Sequence, residues 1–178
     1  MVTEKRAWAD IDLDALINNI SEIRRHVGEH TKIMGIVKAD GYGHGYLEVA
    51  KTLIANGADA LGVAFMDEAI QIRKCGIDTP ILILGYTHPD YAEELIEKDI
   101  MPNCYTRDMA EAMSRAGQKL GKTGKIHIKI DTGMGRVGYR YSEDEELNRA
   151  TVEEIIEISK LPNLEIDLTK MRSTRPAR

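Results

Sequence analysis

The chain has 178 residues, 43% of them hydrophobic and 30% charged, enough for one domain with a substantial core and an ordinary globular composition. With 24 basic and 29 acidic residues the net charge is −5, which disfavours nucleic acid and anionic membranes as partners. One Phe and one Trp leave few stacking surfaces for a single strand. Cys75 and Cys104 show neither a metal spacing nor a CxxC pair, so reduced, buried thiols in a cytoplasmic protein are expected, and no metal. No apolar stretch reaches bilayer-spanning length, and residues 1–6 are too polar for a signal peptide.

Residues 1–30 read as a strand and a helix. Asp10 and Asp12 alternate with Ala9, Ile11 and Leu13, which predicts a short strand over 7–12 with one wet face. Asp12 or Asp14 is placed to cap a helix on which Leu13, Leu16, Ile17, Ile20, Ile23 and Val27 recur at helical spacing, ended by Gly28.

Residues 31–166 read as repeated strand–helix units. The pattern predicts strands over 33–37, 60–64, 81–84, 101–105, 125–130 and 164–168. Helices are expected over 46–56, 67–74, 89–98, 107–120 and 143–159, with Gly57, Gly76 and Gly121 as stops. Continuous apolar runs such as Ile81-Leu82-Ile83-Leu84 suit strands covered on both faces. Units of this kind imply a parallel sheet, either a barrel or an open doubly wound one. Five units and the start of a sixth fall short of the eight that a closed barrel needs in about 250 residues. Residues 167–178 lose the periodicity and carry four basic residues and one acidic. They read as an atypical disordered tail, a truncation or reading-frame product, or else the natural end of a smaller relative.

Two loops carry chemistry. The strand over 33–37 runs into Lys38-Ala39-Asp40-Gly41-Tyr42-Gly43-His44-Gly45. A lysine there lies at the carboxyl ends of the strands, where α/β folds bind ligands. Partly desolvated, its amine becomes available as a nucleophile. The glycines allow backbone close to an anion, and Tyr42 adds a hydroxyl. A phosphate-binding P-loop is disfavoured, since there the lysine follows the glycines. The bland alternatives are a solvated strand-end lysine and a tyrosine packed on the rim. The second loop, Lys129-Ile130-Asp131-Thr132-Gly133-Met134-Gly135-Arg136-Val137-Gly138, presents an arginine suited to a carboxylate or anionic oxygen. Its alternatives are a surface ion pair for Arg136, a paired barrel-lining role for Lys129 and turn capping for Asp131. His44 and His127 read as structural, and Cys104 as a small buried hydrophobe.

Together with Trp8-Ala9-Asp10-Ile11-Asp12-Leu13 and Asn18-Asn19, these two loops resemble three motifs of the alanine racemase family, in the family's order, over residues 7–166. The resemblance implies an α/β fold: the first five to six βα units of a partial TIM (β/α)8 barrel, with strand 7–12 joining a separate β domain. It implies pyridoxal 5′-phosphate as cofactor, with Lys38 as Schiff-base lysine and as the base on one face of the substrate. It also implies a phosphate contact from Tyr42, and Arg136 beside the ring hydroxyl and the substrate carboxylate. Lys129 is similar to a lysine that some members carbamylate. The implied activity interconverts L- and D-alanine in a homodimer, supplying D-alanine for cell-wall peptidoglycan. The base for the opposite face would be a tyrosine of a partner subunit's β domain, so this chain alone is expected to be inactive. Two alternatives remain: a single-domain cofactor-homeostasis protein, and a non-catalytic module that docks through exposed strand edges.

Overall fold

The computed structural model describes residues 8–167. Five strands follow one another as β1 (Met34–Ile36), β2 (Ala60–Val63), β3 (Ile81–Ile83), β4 (Ile100–Cys104) and β5 (Gly124–Ile128). After a minor pair, β6 (Ile130–Asp131) and β7 (Tyr139–Arg140), comes β8 (Leu164–Ile166). The main sheet is parallel throughout and has the order β1-β2-β3-β4-β5-β8. Each strand therefore lies beside its predecessor, as staves of a barrel do. A doubly wound sheet would reverse direction at a switch point. The fold is a partial TIM barrel.

Side-chain alternation divides the sheet into two faces. A Cβ on Gly35 would lie 2.8 Å from Leu53 of the helix Tyr46–Ala55, whereas one on Gly62 would lie 2.6 Å from Ile36 and 3.4 Å from Leu84. The helices cover the first face. There Leu61, Val63, Ile72, Ile81, Ile83, Leu95, Met113 and Ile126 are wholly buried in one core, each such aliphatic side chain contributing roughly 1.5–3 kcal/mol. The helix Arg107–Leu120 is tied to the segment before β8, where Ser114 Oγ donates to Pro162 O at 2.6 Å. Gly121, left-handed at φ 63°, stops it.

Two arginines tie the loops that precede the strands. Arg24 donates to the carbonyls of Gly28, Thr31 and Gly57 and pairs with Asp59 at 3.0 Å. Arg73 donates to the carbonyls of Ile77, Thr79, Lys98 and Asp99 at 2.6–2.8 Å. A guanidinium has five donors in a fixed fork, so one side chain satisfies carbonyls from several loops. Both clamps lie at the amino ends of the strands and leave the carboxyl ends free.

Several expectations need correction. Residues 8–12 form no strand, and Trp8 is 77% exposed; no strand among the described residues lies alongside to pair with them. Asp12 does cap the helix Leu13–Val27, accepting from Ala15 N–H at 3.0 Å. The strand expected over 125–130 stops at Ile128, because Ile130 and Asp131 leave the sheet to pair with β7. The helix expected over 89–98 starts as a 3-10 turn, Pro89–Tyr91, before Ala92–Glu97. Cys75 is exposed rather than buried. The tail beyond Asp167 lies outside the described residues.

Gly117 packs so tightly that an added Cβ would lie 2.8 Å from the carbonyl oxygens of both Lys122 and Asn163. Gly117→Ala is therefore expected to lower stability by about 1–3 kcal/mol through overpacking, despite alanine's higher helix propensity. A urea midpoint equal to or above that of the parent chain would contradict this.

Candidate active site

The lysine loop is a left-handed helical turn. Val37 is the last buried residue of the strand segment. After Lys38 come Ala39 (φ 52°, ψ 51°), Asp40 (54°, 45°), Gly41 (61°, 36°) and Tyr42 (58°, 35°). Left-handed backbone costs an L-residue roughly 1–2 kcal/mol. Among the described residues five non-glycines have positive φ, and Ala39, Asp40 and Tyr42 are three of them. Strain concentrated in this way marks functional segments.

Hydrogen bonds hold the turn. Gly41 N–H donates to Val37 O at 3.0 Å, and Gly45 N–H to Asp40 O at 2.9 Å. The Asp40 carboxylate accepts from Tyr46 N–H at 2.9 Å, and so caps the next helix. His44 Nδ1 lies 3.1 Å from Gly41 O, the structural part expected of it. Glu68, from the helix Met66–Lys74, accepts from Ala39 N–H at 2.7 Å. Gly41 is buried, and a Cβ there would press on Tyr46 backbone at 3.4 Å. The half-buried Lys38 has its Nζ 5.9 Å from the centre of the exposed Tyr42 ring, within cation–π range.

The second loop leaves β5 at the same end of the sheet. Lys129 is anchored by its backbone, its N–H donating to Cys104 O at 2.9 Å and its carbonyl accepting from Tyr139 N–H at 2.8 Å. Asp131 accepts from the N–H groups of Gly133, Gly135 and Arg136 at 3.0–3.1 Å. Those of Gly133 and Gly135, more than any other cause, hold its carboxyl below the usual carboxylate range. Asp131 is thus the turn's cap, and it presents Arg136 with an exposed side chain. Tyr139 donates its hydroxyl to Glu154 at 2.9 Å, which fastens β7 to the helix Glu145–Ser159.

His127 points away from the helices, since its neighbour Ile126 is in the core. Burial lowers its pKa, Asp167 opposes that shift and Lys129 adds to it. Cys104 is fully buried, and burial pushes its thiol up to about 11. It is therefore inert as a nucleophile.

Lys38 and Tyr42 are brought together, and Lys129 and Arg136 share a loop. No hydrogen bond, ion pair or ring contact joins the two pairs among the described residues, where none of Lys38, Lys129 and Arg136 sits in an ion pair. They lie at the same end of the sheet, one pair after β1 and the other after β5. Glu68 escaped the sequence reading, although a glutamate three residues past a helix start is a capping signal. No metal-holding cluster occurs among the described residues, nor does any helix long and apolar enough to cross a membrane.

A strained lysine turn after the first stave and an arginine turn after the fifth restrict the comparison sharply. The sequence profile of the alanine racemase N-terminal domain matches residues 11–168. The chain belongs to the alanine racemase family. It is 48% identical over 159 residues to an alanine racemase of Clostridium perfringens (strain SM101 / Type A), covering 89% of this chain and 39% of that one. It superposes on an alanine racemase of Clostridium difficile 630 with a TM-score of 0.83 and 39% identity, over 93% of this chain and 42% of that one. A histidine racemase of Leuconostoc mesenteroides subsp. sake gives a TM-score of 0.71 and 30% identity, over 85% and 39%. The chain spans about two fifths of the length of these relatives.

The Asp131 cap makes a pH prediction. Its folded pKa is depressed, so its contribution is complete above the unfolded value and is lost as pH falls through the folded one. The Gly133 and Gly135 amide resonances should move together below the ordinary carboxylate range. Asp131→Asn, with a single acceptor oxygen, should speed exchange of those amides several-fold at neutral pH. Unchanged exchange in NMR would refute the cap.

Proposed function

We propose that this chain is the cofactor-binding barrel part of a pyridoxal 5′-phosphate-dependent amino-acid racemase acting on alanine. The observation that carries the reading is the amine of Lys38 on a strained, anchored turn at the carboxyl ends of the strands. The residues fit the cofactor: an amine for its aldehyde, and beside it the exposed Tyr42 hydroxyl for its phosphate. Bound there, the cofactor supplies an electron-withdrawing ring that acidifies the Cα–H of an attached amino acid.

In this reading Lys38 takes and returns the Cα proton on its own face of the substrate. Tyr42 donates to the phosphate. Arg136 meets the substrate carboxylate and the ring oxygen, and the Asp131 turn holds its backbone. Lys129, if carbamylated, turns from cation to anion and accepts from Arg136, which lies in the same loop. Racemisation needs a proton-transfer group on each face, and no second base lies beside Lys38 among the described residues. We assign that group to a partner subunit in a homodimer, so this stretch alone performs half of the exchange. The name of the Leuconostoc relative shows that this fold also serves another amino acid. The eight curated relatives at 42–48% identity, all named alanine racemases, favour alanine, and D-alanine for peptidoglycan is the use we propose.

Incubation with pyridoxal 5′-phosphate and then borohydride should label Lys38, and Lys38→Ala should abolish that label. In D2O, with L- and D-alanine offered separately, the chain should exchange the Cα proton of one enantiomer only, with little inversion. Lys38→Ala should slow that exchange by about 10²–10⁴-fold, the usual share of a positioned base. Labelling without an alanine-dependent change would favour a cofactor carrier, and no labelling at Lys38 would end the racemase reading.

A further inference from the structure

Glu68 makes a contact that helix capping does not require. It stands in the first turn of the helix Met66–Lys74 and is half-buried. Its Oε2 accepts from Ala64 N–H at 2.6 Å and Phe65 N–H at 3.3 Å, which closes the end of β2 onto the helix. Its Oε1 turns the other way and accepts from Ala39 N–H at 2.7 Å, twenty-nine residues back along the chain. One carboxylate therefore bridges the carboxyl ends of two neighbouring staves, β1 and β2.

The bond falls on the peptide that joins Lys38 to Ala39. Holding that N–H fixes the peptide plane through which Lys38 enters the turn, and with it the φ of 52° at Ala39, the first left-handed residue. Backbone bonds hold the middle and end of the turn, at Gly41, His44 and Gly45. At its start, the amide next to the lysine is held by Glu68.

We propose that Glu68 is a positioning residue for Lys38, holding the lysine's own peptide so that the amine meets an aldehyde at the barrel mouth in one orientation. The inference rests on the cofactor reading above. It needs a carboxylate, because both oxygens must accept. A glutamine has one acceptor, which the two donors at Ala64 and Phe65 would take, leaving its NH2 against the N–H of Ala39. Glu68→Gln is therefore the selective change: it keeps the helix start and releases the lysine turn. An aspartate is one methylene too short to reach both sides.

The test uses the whole 178-residue chain, with Asp67→Asn as a neighbouring control. In the parent chain, NMR exchange should find the Ala39 amide protected. In Glu68→Gln that amide should exchange about tenfold faster or more, with the Phe65 amide and the thermal midpoint little changed, as for the loss of one charge-assisted hydrogen bond. Borohydride labelling with pyridoxal 5′-phosphate should fall about tenfold at Lys38 relative to Lys51 of the same molecule, a ratio that general loosening does not move. An unprotected Ala39 amide in the parent chain overturns the proposal, whether or not the variant folds. So does an unchanged Lys38:Lys51 ratio in Glu68→Gln or an equal fall in Asp67→Asn. Parent chain labelled elsewhere than Lys38 would instead sink the cofactor reading, and this inference with it.

Discussion

The structure turns on a balance inside six residues. Three non-glycine residues in left-handed backbone cost together several kcal/mol, at roughly 1–2 kcal/mol each. No single hydrogen bond offsets that, since a net contribution of about 1 kcal/mol is usual. The turn survives because bonds converge on it from three directions: backwards to Val37, forwards to the helix Tyr46–Ala55 and sideways to Glu68. Its conformation is thus a property of the assembled sheet. An isolated peptide of the same sequence would have no Glu68 and no β2 to bind.

That dependence explains the division between the ends of the sheet. At the amino ends, Arg24 and Arg73 gather carbonyls from consecutive loops and fasten each helix to the strand after it. At the carboxyl ends, the corresponding groups are carboxylates that gather N–H groups: Asp40, Glu68 and Asp131. Donors collect carbonyls below, and acceptors collect amides above. Glu68 and Asp131 have both oxygens, and Asp40 one, taken by backbone donors, and none of the three pairs with Lys38, Lys129 or Arg136. Among the described residues the cations at the mouth sit in no ion pair, which is the state in which they can meet an anionic ligand.

Much of the fold was legible because two periods alternate along the chain. Apolar runs such as residues 81–84 and helical spacing such as residues 107–120 placed the main staves and their helices, and glycines marked the stops. The left-handed turn was not legible. Glycines at alternate positions suggested backbone open to an anion, yet Ala39, Asp40 and Tyr42 share the left-handed conformation, and only contacts distant in sequence impose it. Glu68 was missed for the same reason: its capping half is local and readable, whereas its bond to Ala39 is not. The strand expected over 7–12 failed the opposite way. Its alternation was real, but a strand needs a neighbour, and none of the described residues supplies one.

The two loops also differ in how they hold their cations, and that difference suits the roles proposed for them. In the proposed racemase Lys38 would exchange a proton with a carbon, a step sensitive to displacements of a fraction of an ångström. The N–H of its peptide with Ala39 is held by Glu68, and the bonds at Gly41 and Gly45 hold the turn that follows. In the same reading Arg136 would meet a negative charge, an attraction that falls off gently with distance. A cap at its backbone and a free, exposed side chain suffice there. In the proposed racemase, a stiff amine at the first stave and a supple guanidinium past the fifth are what one barrel mouth needs to receive a carboxylate and work on the carbon beside it.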